Sequence, residues 1–151
     1  MYSVSKLKFK RFSEYAKVPF NKRPTPDGDA GYDLYSAETV IIQPKERRKI
    51  GTGLGILLPS GMEGLIRPRS GLTDIGLDVL LGTVDPSYRG EVKVQMVNNS
   101  DSAFLIETGM RIAQIVISPF VTVEEWEEDD DLPESSRGTN GFGSSGLKDG
   151  E

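Results

Sequence analysis

Asp85 stands in a sequence context where a carboxylate could carry out chemistry. It occurs in the segment 82–90, Gly-Thr-Val-Asp-Pro-Ser-Tyr-Arg-Gly, which predicts a hairpin with the carboxylate beside its tip. A carboxylate held there could activate a water molecule, and Tyr88, three residues further on, could stack on the ring of a ligand. Because aspartate before Pro-Ser is also an ordinary way to start a turn, a purely structural role for Asp85 stays open.

Two polar side chains fall in predicted strands. Asp33 lies in the segment 30–37, and strands disfavour aspartate, so its carboxylate is solvent-facing, bonded to a nearby turn, or functional. Gln114 shares a strand face with the apolar Ile112 and Val116, where a polar group needs a hydrogen-bond partner. Both residues are therefore candidates for ligand contacts, and pairing with the backbone is the alternative for Gln114.

Two further segments have the composition of anion-binding sites. The run Arg69-Ser70-Gly71 follows a predicted strand and opens a possible helical turn, so its amides, hydroxyl and guanidinium could cradle an anion. The alternative is a turn that only ends the strand. The segment 137–146 combines glycines, hydroxyls and an arginine around Phe142. It is either a disordered tail or a flap whose amides converge on phosphates.

The absence of two residue types limits the possible chemistry. The chain has no cysteine, which excludes disulfides, thiolate catalysis and thiolate-bound metals. It also has no histidine, so acid–base chemistry must come from carboxylates, lysine or tyrosine. Any metal should be a hard, oxygen-bound ion such as Mg²⁺. The formal net charge of −5 argues against general affinity for nucleic acids.

Short strands are the elements that must position these residues. A chain of 151 residues with 17 glycines and 9 prolines suits one all-β domain with many tight turns. Alternating or continuous apolar runs predict strands at 7–12, 32–36, 39–42, 47–58, 64–67, 90–97, 104–106 and 111–123. The best helix candidate is 70–77. We expect a sandwich or jelly roll.

The chain changes character after Trp126. We predict a β domain at 1–126, an acidic linker at 127–136 and a flexible C-terminal flap at 137–151. The basic run at 6–11 and the acidic run at 124–134 are interpreted as solvated surface. No apolar stretch is long enough for a signal peptide or a bilayer span, so we expect a soluble intracellular protein without a membrane partner.

Five of the segments described above resemble, in chain order, the motifs of the trimeric dUTPase (deoxyuridine 5'-triphosphate nucleotidohydrolase) family. They are the segments that contain Asp33, Arg69, Asp85, Gln114 and Phe142. The resemblance extends from about the first predicted strand to Gly146. It implies a distorted jelly roll of the dUTPase-like β-clip type and a homotrimer with active sites shared between subunits. The implied activity is Mg²⁺-dependent hydrolysis of dUTP to dUMP and pyrophosphate, which supplies dUMP for thymidylate synthesis and keeps uracil out of DNA.

The resemblance also implies roles for the matching residues. Asp85 matches the catalytic carboxylate that activates the water attacking the α-phosphorus, and Asp33 matches the carboxylate that holds Mg²⁺ through water. Tyr88 matches the residue packed under the deoxyribose. The matching phosphate contacts are Arg69, Ser70, Gly71 and Gln114.

The remaining matches concern the base and the flap. The segment 80–84 would bind uracil through main-chain groups, with Gly82, Thr83 and Val84 as its contacts and Lys93 beside them. Arg137 would contact the γ-phosphate and Phe142 would stack over the uracil, with Gly143, Ser144 and Ser145 completing the flap. Three places depart from the usual pattern, and none of the departures removes a catalytic group: Leu80-Leu81, 84–88 and Thr139-Asn140.

Three alternatives remain at this stage. A dCTP deaminase shares the fold ancestry and several motifs, but the segment around Tyr88 and the complete flap around Phe142 favour dUTP hydrolysis. A non-catalytic relative that binds nucleotide or protein as a regulator would not need the full set of carboxylates and phosphate contacts. A purely structural jelly roll, such as a capsid-like subunit, would not respond to dUTP.

Overall fold

The computed structural model describes residues 3–150, which form eleven strands and one short helix. In chain order they are β1 (Lys8–Arg11), β2 (Gly31–Tyr35), β3 (Val40–Ile42), β4 (Arg47–Gly51), β5 (Leu54–Leu57), β6 (Met62–Arg67), α1 (Ser70–Thr73), β7 (Leu77–Val79), β8 (Gly82–Val84), β9 (Lys93–Asn98), β10 (Phe104–Ile106) and β11 (Arg111–Pro119). The predicted all-β class is confirmed. The outermost residues of the predicted domain and flap, 1, 2 and 151, lie outside the described residues.

All strand pairs are antiparallel, and the strands form four small sheets. The largest has the order β2-β11-β6-β8, and a three-stranded sheet has the order β4-β9-β7. Two further pairs, β1-β5 and β10-β3, complete the arrangement. Since neighbours in space are mostly distant in sequence, the sheet order brings together side chains that no local pattern relates.

The inward-facing residues of these strands form one apolar core. Its most deeply buried members include Leu34, Ile42, Ile50, Val94, Met96, Ile106, Ile112 and Ile115. Asn98 is also fully buried, and its amide nitrogen donates to the carbonyls of Ile42 at 2.9 Å and Ser102 at 2.8 Å. These bonds offset the cost of burying a polar group, so β3, β9 and the loop after β9 are tied together.

Several predicted elements differ from the structure because the chain changes sheets. The strand predicted at 47–58 is broken at Thr52 and Gly53, where Gly53 has a left-handed φ of 70°. β4 then pairs with β9, whereas β5 pairs with β1. The predicted helix at 70–77 ends at Thr73, and Gly76, with a φ of 92°, leads into β7. The last strand ends at Pro119 rather than at Val123.

The prediction of a hairpin at 82–90 is wrong. β8 pairs with β6, and β9 pairs with β4 and β7, so the two strands that flank this segment belong to different sheets. The segment that carries Asp85 and Tyr88 is a connection between sheets. Its conformation therefore depends on contacts with the rest of the protein, because β8 and β9 are not hydrogen-bonded to each other.

The chain separates into two compact units, one up to Val121 and one from Thr122 onward. In the second unit, the described residues form turns and bends but no helix or strand, and almost every side chain is exposed. The acidic linker and the flap fall in this unit, and their predicted boundaries and roles stay predictions. Within residues 3–150 there is no helix with the length and apolar character needed to cross a bilayer.

Candidate active site

A groove of about 320 Å³ lies beside the connection between β8 and β9. This volume is within the range of small-molecule sites, roughly 300–1,000 Å³. Six residues predicted from the sequence line it together: Gly82, Thr83, Val84, Asp85, Tyr88 and Lys93. The rest of the lining is Lys49, Ile66, Leu80, Leu81, Glu91, Val92 and Gln95. The groove thus has apolar walls, one aromatic ring and several charged groups.

A tight turn presents Asp85 and Tyr88 at this groove. The Tyr88 N–H donates to the Asp85 carbonyl at 3.0 Å, which closes the turn. Pro86 follows the aspartate, and its fixed φ suits the second position of such a turn. The Arg89 guanidinium donates to the Pro86 carbonyl at 2.7 Å. The backbones of Asp85 and Tyr88 are therefore coupled, and both side chains are exposed.

A second group of polar side chains lies at one end of the four-stranded sheet. Gln114 of β11 stands directly opposite Asp33 of β2 on one side and Arg67 of β6 on the other. Residues directly opposite in antiparallel strands point to the same face, with Cβ atoms roughly 4.5–5.5 Å apart. Asp33, Gln114 and Arg67 therefore form a row across three strands, which we call the polar row.

Hydrogen bonds and ion pairs fix the polar row. The Asp33 carboxylate meets the Arg69 guanidinium at 3.1 Å and that of Arg111 at 3.6 Å. The Gln114 amide nitrogen donates to the Pro68 carbonyl at 2.9 Å, so the hydrogen-bond partner that this glutamine was predicted to need is a backbone carbonyl. A Cβ atom on Gly31 would overlap the Gln114 side-chain oxygen, which explains the glycine two residues before Asp33.

The electrostatics of the polar row favour an anion. Arg69 and Arg111 pair with Asp33, and Arg67 lines the same basin. The second carboxylate of the basin, Asp29, is paired with Arg23, so cationic groups outnumber anionic ones there. The run Ser70-Gly71 begins α1 directly after Arg69. A Cβ atom on Gly71 would meet nothing within 4 Å, so the fold of this chain leaves open space beside that backbone. Guanidinium groups with free donors are well suited to phosphate oxygens.

The donor set at Asp33 fits a magnesium ion held mainly by phosphate oxygens and water. Across residues 3–150 no three acidic or other metal-binding side chains converge on one point, so the described part of the chain offers no all-protein cage. Mg²⁺ usually keeps several waters and uses one or two carboxylates together with substrate phosphates. Asp33, whose side chain is 22% exposed, meets that description.

The predicted site residues thus fall into three groups. The groove unites six of them, and the polar row with its flanking residues unites Asp33, Arg69, Ser70, Gly71 and Gln114. The groove lining includes none of the residues of the second group. The third group lies in the second unit, where Arg137 donates to the Asn140 carbonyl at 2.6 Å and Phe142 is fully exposed with a left-handed φ of 48°. Gly143, Ser144 and Ser145 belong to the same succession of turns.

Sequence reasoning missed three residues that these contacts single out. Arg111 pairs with Asp33, Arg67 completes the polar row, and Glu91 lines the groove. The spacing of Arg111 to Gln114 offered no signal, because residues three positions apart in a regular strand point to opposite faces, and the register shift between Arg111 and Ala113 is seen only in the structure. Arg67 and Glu91 gave none, because their importance depends on strand order and on a contact with a distant loop.

Comparisons with known proteins agree on one family. A dUTPase family model matches residues 16–146. A deoxyuridine 5'-triphosphate nucleotidohydrolase of Clostridium kluyveri is 47% identical over 146 residues, covering 93% of this chain and 98% of that protein. The protein of the same name from Nautilia profundicola is 46% identical over 144 residues, with coverage of 93% and 99%.

Solved structures show the same likeness in three dimensions. The dUTPase of Staphylococcus bacteriophage 80alpha with dUpNHpp has a TM-score of 0.87 and 32% identity, covering 95% of this chain and 100% of that chain. A mutant dUTPase from phage phi11 of S. aureus has a TM-score of 0.78 and 27% identity, with coverage of 86% and 100%. That structure describes the coordination of a structural Mg(II) ion. The predicted dUTPase-like jelly roll is confirmed by these structures.

Proposed function

The chain belongs to the dUTPase family, and from this membership we infer that it is a dUTP diphosphatase, which hydrolyses dUTP to dUMP and pyrophosphate. The observation that carries the inference is the family match over residues 16–146, together with Asp85 and Tyr88 at one groove. In this activity the enzyme supplies dUMP and removes the nucleotide that would place uracil in DNA.

Asp85 is the residue that we propose as the general base. Its carboxylate is exposed at the groove, and no histidine or cysteine exists to replace it. It would orient a water molecule and accept one of its protons as the water oxygen bonds to the α-phosphorus. The bond from the α-phosphorus to the bridging oxygen then breaks, and pyrophosphate leaves with the electron pair. In-line attack of this kind depends mainly on positioning and electrostatic stabilisation.

The groove would select the nucleoside. The main chain of 80–84, with Gly82, Thr83 and Val84, offers N–H and C=O groups that could pair with uracil and leave no space for a thymine methyl group. Tyr88 would pack under the deoxyribose, where a 2'-hydroxyl would not fit. Lys93 lines the same groove and adds a positive charge. Leu80 and Leu81 supply its apolar wall.

The polar row would bind the triphosphate. Arg69, Ser70, Gly71 and Gln114 are the proposed phosphate contacts, and the excess of guanidinium groups supports this role. We propose that Asp33 reaches Mg²⁺ through water. When bound, the ion would neutralise phosphate charge and so favour departure of pyrophosphate. Arg69 and Arg111 would keep the Asp33 carboxylate oriented until the phosphates arrive.

We further propose that the protein is a homotrimer with sites shared between subunits. The groove and the polar row have separate linings within one chain, although the reaction needs the base, sugar and phosphate contacts together. Subunit association could bring the groove of one copy to the polar row of another. Arg137, Phe142, Gly143, Ser144 and Ser145 would then close as a flap over the nucleotide. We also propose an intracellular location for the protein.

A panel of nucleotides tests the proposed function. The protein is incubated with dUTP, dCTP, dTTP and UTP in the presence of Mg²⁺, and both pyrophosphate and ammonia are measured, with a chelator-treated set alongside. Release of pyrophosphate from dUTP, lost with chelator, supports the proposal. Ammonia from dCTP would instead identify a deaminase, and binding of dUTP without any product would identify a non-catalytic relative.

A further inference from the structure

We propose that Gly90 and Glu91 are positioning residues that hold the Tyr88 ring where it discriminates between deoxyribose and ribose. The inference rests on the proposed function, because it takes the sugar contact of Tyr88 from there. It assigns a role to two residues that touch no substrate atom in that proposal. Their contacts form a continuous path from the buried body of the protein to the groove.

The first contact fixes the far end of the ring. The Tyr88 hydroxyl donates to the Glu91 carbonyl at 2.7 Å, so the side chain folds back over the residues that follow it. Since the Tyr88 N–H also closes the turn with Asp85, both ends of the tyrosine are bonded. Tyr88 is 45% exposed, so part of the residue stays available to a ligand while its hydroxyl is held.

Gly90 provides the space for this arrangement. A Cβ atom at Gly90 would lie 2.5 Å from the Tyr88 hydroxyl oxygen and 2.7 Å from the ring carbon that bears it. Both distances are far inside van der Waals contact, so any side chain here would displace the ring. The φ of Gly90 lies outside the left-handed region, and alanine could adopt the same backbone conformation. The need for glycine is therefore steric, and the three atoms nearest to such a Cβ all belong to the Tyr88 side chain.

Glu91 ties this assembly to the body of the protein. Its carboxylate accepts the Gly53 N–H at 3.0 Å, across the connection between β4 and β5. A Cβ atom on Gly51 would lie 2.6 Å from the same carboxylate oxygen, so this glycine also makes room for it. A hydrogen bond to an ionised acceptor is stronger than one between neutral groups.

The next residue makes the attachment firm. The Val92 N–H donates to the Leu54 carbonyl at 2.6 Å, and the Val92 carbonyl accepts the Thr52 hydroxyl at 2.6 Å. Thr52, Leu54 and Val92 are buried, each with no more than 1% exposure. The path therefore runs from the core through Val92 and Glu91 to the hydroxyl of Tyr88, and from its backbone to Asp85.

The test compares variants of the full-length protein. Glu91→Ala removes the carboxylate, Glu91→Gln keeps an oxygen that can accept the Gly53 N–H, and Gly90→Ala pushes the ring directly. Ser87→Ala, in the same exposed turn, is the matched control. For each variant, kcat and KM are measured with dUTP and with UTP, and folding is checked by thermal melting. A crystal structure of Glu91→Ala gives the position of the ring without reference to activity.

We expect Glu91→Ala to lower the ratio of kcat/KM for dUTP to that for UTP by about tenfold, because a displacement near 1 Å is enough for such losses. Gly90→Ala should lower it further, Glu91→Gln should stay near the wild type, and Ser87→Ala should match it. An unchanged ratio in folded Glu91→Ala and Gly90→Ala would overturn the inference, as would equal losses in Glu91→Gln and Glu91→Ala. A Tyr88 hydroxyl that keeps its bond and position in the Glu91→Ala crystal structure would overturn it even if the wild type proved inactive on dUTP.

Discussion

The turn at Asp85–Tyr88 and the segment from Thr122 to residue 150 both carry predicted substrate contacts, but they are held by different means. The turn is bonded internally and linked through Glu91 and Val92 to buried strands. The terminal segment contains local bonds, such as Gly138 N–H to the Ser135 carbonyl at 3.1 Å, and almost all of its described side chains are exposed.

This contrast assigns different energetic roles to the two regions. A turn fixed in the folded protein loses little entropy when the substrate binds, so its groups are ready for chemistry. A segment without core residues must be ordered at the moment of binding, and this costs part of the binding free energy. We therefore expect the chemistry to depend on the turn, and closure over the nucleotide to depend on the terminal segment.

The largest expected effect comes from Asp85→Asn in the turn. Loss of the proposed base should lower kcat by about 10²–10⁴-fold, the range for general base catalysis. Binding of a non-hydrolysable dUTP analogue should stay within a few-fold, because asparagine keeps the size of the side chain. Pyrophosphate release and calorimetric titration measure the two quantities. Turnover like that of the wild type would remove Asp85 from the chemistry.

Deletion of residues 137–151 tests the other region. The truncated protein should keep the melting temperature of the full chain, since none of the residues 137–150 has a buried side chain. Its kcat/KM for dUTP should fall by about tenfold to a hundredfold, because phosphate and base contacts and the exclusion of water are lost. An unfolded product would show that the segment has a structural role, which contradicts the contrast between the two regions.

The polar row is an intermediate case, because Asp33 and Gln114 are bonded to neighbouring residues whereas the Arg67 guanidinium is available to a ligand. Arg67 lines the same basin as Asp33 and Gln114, and its side chain makes no ion pair or hydrogen bond to another residue of the range 3–150. Arg67→Ala should weaken a triphosphate analogue by about fivefold to tenfold, since each charge-assisted hydrogen bond contributes roughly 1.5–3 kcal/mol at most. Binding of dUMP, which lacks two phosphates, should change much less. Arg47→Ala, an exposed arginine on β4, is the control; equal effects of both changes on the two ligands would exclude a local contact.

The sequence allowed the strands to be predicted better than their partners. The run 104–106 matches β10, and Asp33 and Gln114 were expected in strands, because alternation and turn residues are local signals. β7 was missed, because its first residue, Leu77, lies within the predicted helix 70–77, which in the structure ends at Thr73. The break at Gly53 was also missed, since apolar residues continue on both sides of it.

The candidate site shows the same difference between local signals, which the sequence contains, and long-range contacts, which it does not reveal. Residue types and order along the chain were enough to single out Asp85, Tyr88 and Asp33. The polar row was not predictable from one sequence, because it depends on β11 lying between β2 and β6. Glu91 looked like an ordinary surface charge, and only the position of the Gly53 N–H gives it a partner. Long-range register and contacts between loops are decided by packing of the whole chain.

The smallest expected effect is a difference in melting temperature between two glycine-to-alanine variants, one at the attachment of the turn and one in the terminal segment. Gly53 and Gly138 both have left-handed φ values, 70° and 58°, and alanine in that region costs roughly 1–2 kcal/mol. A Cβ on Gly53 would also lie 2.9 Å from that of Ser13, whereas one on Gly138 would meet nothing within 4 Å. Gly53 lies where the turn is attached to the body, so Gly53→Ala should lower the melting temperature by about 2–4 °C for each kcal/mol lost. Gly138→Ala should leave the melting temperature unchanged, because the conformation of the terminal segment does not contribute to cooperative unfolding of the core. Melting curves at equal protein concentration compare the two variants, and a matching decrease in both would show that the terminal segment is coupled to the core after all.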